Sequence, residues 1–120
     1  TRRIIYPDLI ALKNGAIFII EVKTRESKEP IYIDREKIIR LKEFAKRAKG
    51  LPLIAIKFMG QTRWRFLHVN DLIETPKGNF KVDLEVLAKK GLTIEALEAL
   101  ASKTTKLNRF LFHSNSNSYS

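Results

Sequence analysis

The sequence predicts a mixed α/β domain in which a central β-sheet is flanked by helices, and the order of its apolar segments carries this prediction. Two apolar runs lie on either side of Asn14-Gly15, the strongest two-residue signal for a β-hairpin. A helical pattern over residues 34–49 then separates the second run from a third one at residues 51–58. Strands before and after a helix, with a further helical stretch near the C-terminus, are typical of a layered α/β fold.

The first hairpin is predicted to pair residues 3–12 with residues 16–24. Pro7 lies in the first of these segments. Because proline cannot donate a hydrogen bond to a sheet, this strand is expected at an edge or with an irregularity near Pro7. The second segment is apolar on both faces until Glu21, which favours a central strand that is covered on both sides.

The helical pattern after the hairpin has recognisable ends. Asp34 is a suitable N-cap, and Gly50 is a suitable stop for a helix that extends to about residue 49. Its apolar face, which includes Phe44, is wide enough for either a buried helix or a subunit interface. After this helix, the sequence predicts two strands, at 51–58 and 63–69, which are separated by a turn at 60–62. A helical turn at 70–73, a turn at 75–78 and an extended segment at 79–82 follow. The last element is a helix at 85–101 that is interrupted at Gly91 and capped again near Thr93.

Length and charge bound the class of protein. The chain has 120 residues and a net charge of +10, which favours an anionic partner, nucleic acid first, over a merely basic surface. One domain is predicted over residues 1–113, followed by a disordered Ser/Asn-rich tail at 114–120. The chain has no cysteine, which excludes disulfides and thiolate metal sites. No apolar run approaches about 18 residues, so no membrane span is expected.

Three charged residues point to the chemistry of a magnesium-dependent phosphodiesterase. Glu21 and Lys23 are two positions apart on a predicted strand, so both side chains face the same way. The hairpin can bring Asp8 beside Glu21, and two carboxylates can hold a hard divalent cation. Lys23 can orient a water or stabilise charge on a phosphate. A turn residue at Asp8 and a solvated strand end at Glu21 are the alternatives.

With these residues and this element order, the chain resembles the archaeal Holliday junction resolvases of the PD-(D/E)XK nuclease superfamily, from about residue 6 to residue 101. The resemblance implies a restriction-endonuclease-like mixed sheet flanked by helices. The family pattern begins with a basic helix that bears another catalytic glutamate, and we expect no counterpart of this helix within residues 1–120, whether the sequence is a fragment of a longer protein or is naturally short. The segments that carry the resemblance are residues 7–11, 20–23, 31–33, 43–45, 51–58, 64–66 and 79–83.

The resemblance also implies an activity. It is that of a magnesium-dependent endonuclease that resolves four-way DNA junctions by paired symmetric nicks, with Mn²⁺ able to substitute for Mg²⁺. Asp8, Glu21 and Lys23 would be catalytic, and Asp8, Glu21 and the Val22 carbonyl would hold the metal. A non-catalytic junction-binding module of the same fold and another repair nuclease of the superfamily are the alternatives. The implied location is the cytoplasm, at the nucleoid.

Three kinds of contact are predicted around this site. DNA contacts, with ordinary surface charge or packing as the alternative, are predicted for Arg2, Arg3, Lys13, Arg25, Lys28 and Tyr32. A homodimer with twofold symmetry suits a four-way junction, and its predicted interface comprises Leu41, Phe44, Phe58 and Trp64. Residues 107–111 loosely resemble a peptide that binds a sliding clamp, with a frayed helix end as the alternative. Glu36 would approach the metal or complement the helix dipole.

Overall fold

The computed structural model describes residues 6–58 and 60–103. The predicted DNA contacts at Arg2 and Arg3, the clamp-like segment at 107–111 and the tail at 114–120 lie outside these ranges. The described part of the chain holds no helix that is long and apolar enough to cross a membrane. Its elements are β1 (Leu9–Lys13), β2 (Ala16–Arg25), β3 (Ile31–Ile33), α1 (Arg35–Ala48), β4 (Leu51–Phe58), β5 (Arg65–His68), a 3₁₀ turn (Val69–Asp71), β6 (Ile73–Glu74), β7 (Phe80–Val82), α2 (Leu84–Lys90) and α3 (residues 94–103).

A four-stranded mixed sheet in the order β1-β2-β4-β5 forms the centre of the fold, as predicted. β1 and β2 are antiparallel, and Asn14 and Gly15 between them have φ angles of 52° and 82°. Positive φ at both positions is what a two-residue type I′ hairpin turn requires. β2 and β4 are parallel and are joined through α1, whereas β5 returns antiparallel to β4. The two long central strands and α1 therefore form a β-α-β crossover.

The two faces of β2 pack against different helices. Phe18 and Ile20 lie in an apolar cluster with Leu97, which is in α3. Ile19 belongs to a second cluster that includes Ile38 of α1. Because side chains alternate along a strand, the next odd-numbered residue, Glu21, lies on the α1 face. Both faces of this strand are covered, which confirms its predicted central position.

Within residues 6–58 and 60–103, β1 is an edge strand of the central sheet, and several of its side chains are exposed. It begins at Leu9, and Pro7 precedes it, so the predicted strand at 3–12 is shorter within the described residues. Leu9 and Ile10 are each 50% exposed and Leu12 is 73% exposed. The missing N–H of Pro7 is consistent with a strand that starts after it.

α1 begins and ends at the predicted places but by different contacts. Asp34 is the N-cap residue, yet its side chain makes no capping hydrogen bond. The Arg35 N–H instead donates to Asn79 Oδ1 at 3.1 Å. At the other end the left-handed residue is Lys49, with φ 56°, and the Gly50 N–H donates to the Ala45 carbonyl at 2.8 Å. The glycine is therefore not the residue with the left-handed backbone.

Gly50 is needed because β2 passes close to it. A Cβ at this position would lie 3.0 Å from the Ile17 carbonyl oxygen and 3.0 Å from Ile19 Cγ1. We expect Gly50→Ala to lower the free energy of unfolding by about 1–3 kcal/mol, because the added methyl group overpacks the start of β4. Urea unfolding measures this change. Lys49→Gly is the contrasting variant, expected to be neutral or stabilising because it relieves a left-handed backbone. A neutral Gly50→Ala would contradict this account.

A second sheet of three short strands, in the order β3-β7-β6, was not predicted as a sheet. Its buried residues Ile31, Ile33 and Val82 extend the apolar cluster beneath α1. The turn between β6 and β7 also contacts the first residue of α1, because Arg35 pairs with Glu74 as well as with Asn79. The small sheet therefore fixes where α1 starts.

The C-terminal helices follow the prediction closely. α2 ends at Lys90 and Gly91 follows it, as the predicted interruption requires. A side chain at Gly91 would be impossible without movement, because a Cβ there would lie 2.4 Å from the Leu87 carbonyl oxygen. Thr93 caps α3, since its Oγ1 accepts a hydrogen bond from the Ala96 N–H at 3.0 Å.

Two of the four residues predicted at the dimer interface are buried within the chain's own core. Leu41 is 6% exposed and Phe58 is 1% exposed, and both lie in the cluster between α1 and the central sheet. Their surfaces are covered within one chain, so they offer almost nothing to a second copy. Phe44 packs only partly against this cluster, and Trp64 is 37% exposed. Of the four residues, only Phe44 and Trp64 therefore stay predicted interface residues.

Candidate functional site

The hairpin brings Asp8 beside the acid strand. Leu9 pairs with Ile20 in the register of β1 and β2, and Asp8 comes one residue before Leu9. Its Oδ2 accepts a hydrogen bond from the Val22 N–H at 2.9 Å. Asp8 is thus attached to the neighbouring strand by its side chain at the point where the backbone ladder ends. Its other carboxylate oxygen is not used by this bond.

Glu21 is the one charged side chain that is buried among the described residues, with 5% of its surface exposed. It continues the apolar face of β2 toward α1, which explains its burial. A buried carboxylate needs a cation or hydrogen-bond donors to remain charged. Lys37 provides this in the structure, with its Nζ 2.7 Å from Glu21 Oε1.

Lys37 is the site residue that reasoning from the sequence missed. It lies in the first turn of α1, directly before the buried Ile38. The signal was present in the sequence, since a residue next to the apolar stripe of a helix that follows the acid strand can face that strand. The neighbouring acid Glu36 turns elsewhere and pairs with Arg40 at 2.7 Å. A helix-dipole role therefore describes Glu36 better than a role near a metal.

Lys23 lies on the same face of β2 as Glu21, two residues further along the strand. Burial lowers the pKa of Lys23, and the nearby Lys37 ammonium lowers it further, while Glu21 and Asp8 act in the opposite direction. The hydrogen bond to Glu21 raises the pKa of Lys37 against the effect of its burial. These causes show that all four groups interact. We call Asp8, Glu21, Lys23 and Lys37 the charged cluster.

The donor chemistry of the charged cluster fits a hard divalent cation. The Asp8 carboxylate, just before β1, and the Glu21 carboxylate on β2 are ligands of the type that Mg²⁺ and Mn²⁺ accept. No group of three or more His, Cys, Asp or Glu side chains suited to a metal occurs within residues 6–58 and 60–103. Backbone carbonyls, waters or phosphate oxygens would therefore complete the coordination, as is usual for Mg²⁺.

The residues predicted to contact DNA are not all close to the charged cluster. Arg25 ends β2 two residues after Lys23 and pairs with Glu29 at 2.6 Å. It also lines a cavity of about 530 Å³ at the ends of β2 and β4. Lys28 is exposed in the following loop, and Tyr32 is 64% exposed on β3.

Lys13 is the exception among the predicted DNA contacts. It pairs with Ala16 at the turn of the hairpin. At about 3.3 Å per strand residue, it lies roughly 17 Å along β1 from Asp8. The expectation that Lys13 flanks the site is therefore wrong, because it stands at the opposite end of the strand.

Comparisons with known proteins connect this geometry to one family. Residues 1–106 match the family described as archaeal Holliday junction resolvase (Hjc). The crossover junction endodeoxyribonuclease Hjc of Sulfurisphaera tokodaii is 41% identical over 91 residues, which cover 76% of this chain and 61% of that protein. The protein of the same name from Sulfolobus acidocaldarius is 37% identical over 102 residues, covering 82% and 69%.

A solved structure agrees with the sequence comparisons. The Holliday junction resolvase Hjc of Archaeoglobus fulgidus matches with a TM-score of 0.68 and 30% sequence identity. The match covers 80% of this chain and 74% of that one. The chain spans about three fifths of the length of the Sulfurisphaera relative.

Proposed function

This chain belongs to the archaeal Holliday junction resolvase family, and we propose that it acts as an endonuclease on four-way DNA junctions. The observation that carries the proposal is the meeting of Asp8, Glu21 and Lys23 at one end of the β1–β2 hairpin. The 2.9 Å hydrogen bond from the Val22 N–H to Asp8 fixes this arrangement. Paired symmetric nicks would resolve the junction into two duplexes.

Asp8, Glu21 and the Val22 carbonyl would hold Mg²⁺, with Mn²⁺ as a substitute. The N–H and C=O groups of one strand residue point to the same neighbouring strand. Because the Val22 N–H reaches Asp8, we infer that its carbonyl faces the same side. When bound, the ion would supply an activated water and would stabilise charge on the scissile phosphate.

The chain's own residues would position the phosphate. Lys23 lies on the face of β2 that carries Glu21, so its ammonium can contact a phosphate oxygen held at the same place. Its partly buried setting strengthens such a contact, because charges interact more strongly where water is excluded. Glu21 is held in place by the packing around it, since only 7% of its side chain is exposed.

Junction recognition would depend on phosphate contacts and on branched shape. A net charge of +10 supports binding to DNA of any sequence. Arg25 at the end of β2 and the exposed Lys28 and Tyr32 are the proposed contacts among the described residues. Arg2 and Arg3 complete the proposed set from outside the described residues. Recognition of backbone geometry would select four-way junctions without reading bases.

A homodimer is the proposed active assembly. Two copies related by a twofold axis would present two sites to the two symmetric strands of a junction. Phe44 and Trp64 are the proposed interface residues because they keep exposed surface. Residues 107–111 are the proposed contact with a sliding clamp. We propose that the protein acts in the cytoplasm at the nucleoid, where junctions form.

A cleavage assay tests the proposed function. The purified chain is incubated with a labelled four-way junction and with a linear duplex of matched sequence, with and without magnesium, and the products are separated on a denaturing gel. Symmetric nicks in the junction alone, and only with magnesium, are expected. Nicks in both substrates would indicate another type of nuclease. Junction binding without nicks would indicate a non-catalytic binding module and would overturn the enzymatic proposal for this chain.

A further inference from the structure

We propose that Lys37 is a built-in counter-ion of Glu21 that must leave the carboxylate before a metal ion can bind there. Lys37 would then set the metal concentration at which the site fills. This inference depends on the proposed function, because it takes Glu21 to be a metal ligand. It goes further by giving a role to a residue outside the acid and lysine set of the hairpin.

Lys37 contacts the carboxylate that is proposed to hold the metal. Its Nζ lies 2.7 Å from Glu21 Oε1, which is a normal distance for a charge-assisted hydrogen bond to that oxygen. A divalent ion bound by the same oxygen would lie at about 2.0–2.6 Å from it. The ammonium and the ion would therefore compete for the same carboxylate oxygen.

Burial shows which partner of this pair can move. The Glu21 side chain is 7% exposed, whereas that of Lys37 is 39% exposed. Glu21 is held by the core between β2 and α1, but Lys37 has a flexible four-carbon stem in the first turn of α1. Exchange would therefore proceed by movement of Lys37 into solvent while the carboxylate stays in place.

The charges of the cluster make this exchange favourable. In the metal-free protein two ammonium groups, on Lys23 and Lys37, face the two carboxylates of Asp8 and Glu21, so the formal charges balance. Addition of a divalent cation with both ammonium groups in place would leave an excess of positive charge in a partly buried site. Departure of Lys37 relieves part of this repulsion and leaves Lys23 as the remaining lysine.

A purely structural ion pair makes a different prediction. If Lys37 only stabilised the fold, its removal would lower stability and leave metal affinity unchanged or weaker. If it competes with the metal, its removal must tighten metal binding even though it lowers the stability of the metal-free protein. The two effects have opposite signs, so one set of variants separates them.

Calorimetric titration of the whole chain with Mn²⁺, without DNA, is the experiment. We expect Lys37→Gln to bind Mn²⁺ about tenfold more tightly, because the metal no longer breaks an ion pair and one repelling charge is gone. Lys37→Arg, which keeps the cation, and Lys46→Gln, which removes an equal charge at the far end of α1, should bind as the unmodified chain does. Lys37→Met is measured in parallel because it keeps the apolar stem.

Thermal unfolding without metal completes the test. Lys37→Gln should melt at a lower temperature than the unmodified chain, and saturating Mn²⁺ should restore much of the difference. Equal or weaker Mn²⁺ binding by both Lys37→Gln and Lys37→Met, with normal binding by the unmodified chain, would overturn the exchange and leave the proposed function standing. Absence of Mn²⁺ binding by the unmodified chain would overturn the proposed metal site, and this inference with it.

Discussion

Replacement of Glu21 by Gln is expected to reduce junction cleavage by about three orders of magnitude while junction binding changes little. The amide is nearly the same size as the carboxylate, so the packing between β2 and α1 is kept. It carries no negative charge, so it is a poor ligand for a hard cation. DNA binding depends on the basic surface instead, and one buried acid contributes little to it.

Single-turnover cleavage with magnesium and gel-shift binding in chelator measure the two properties of Glu21→Gln separately. Glu36→Gln is the matched control, because it removes the same charge from an exposed acid that pairs with Arg40. Glu36→Gln should cleave at nearly the normal rate. A parallel loss of binding and cleavage in Glu21→Gln would sink its assignment as a metal ligand.

Replacement of Phe58 by Ala should lower the free energy of unfolding by about 3–5 kcal/mol. Phe58 is 1% exposed and is one of the largest buried side chains at the end of β4. Truncation removes buried apolar surface and leaves a cavity that the surrounding β-strands and α1 can only partly fill. The change is expected in each chain by itself, because the side chain packs within the chain's own core.

Chemical unfolding at two protein concentrations, about a hundredfold apart, tests the origin of the Phe58 effect. A core residue lowers stability equally at both concentrations, whereas a residue at a dimer interface gives an effect that depends on concentration. Ile39→Ala is the control in the neighbouring helix, since Ile39 is 44% exposed and should cost less than about 1 kcal/mol. A strongly concentration-dependent loss in Phe58→Ala would return this residue to the interface.

The part of the site that depends on local signals could be predicted from the sequence. Asn14-Gly15 specified the hairpin, and a hairpin of that position places Asp8 opposite Glu21. Alternation along β2 placed Glu21 and Lys23 on one face. Both relations depend on residues close together in the sequence and on the two-residue alternation of side chains along a strand, and both can be read from the sequence.

The parts of the fold that were missed depend on contacts between distant segments. The β-strands of the second sheet have two or three residues, too few to show a period. Asn79 accepts the hydrogen bond at the start of α1 that Asp34 was expected to accept. It lies 44 residues after the donor, Arg35, so no local sequence pattern could predict it. Lys37 meets Glu21 only because α1 crosses over β2, so its role depends on tertiary packing.

Because Asp8 is hydrogen-bonded to β2, the site forms only when β1 and β2 pair in the observed register. Among the described strands β1 pairs only with β2, and a slip of one residue would place Leu9 or Pro7 opposite Glu21 in place of Asp8. A metal bound to Asp8 and Glu21 together would cross-link the two strands of the hairpin and oppose fraying of the edge. The Val22 N–H donates a hydrogen bond to Asp8, so protection of this amide would then rise with metal concentration in hydrogen-exchange measurements. The same amide would thus report both the pairing of the edge strand and the occupancy of the site.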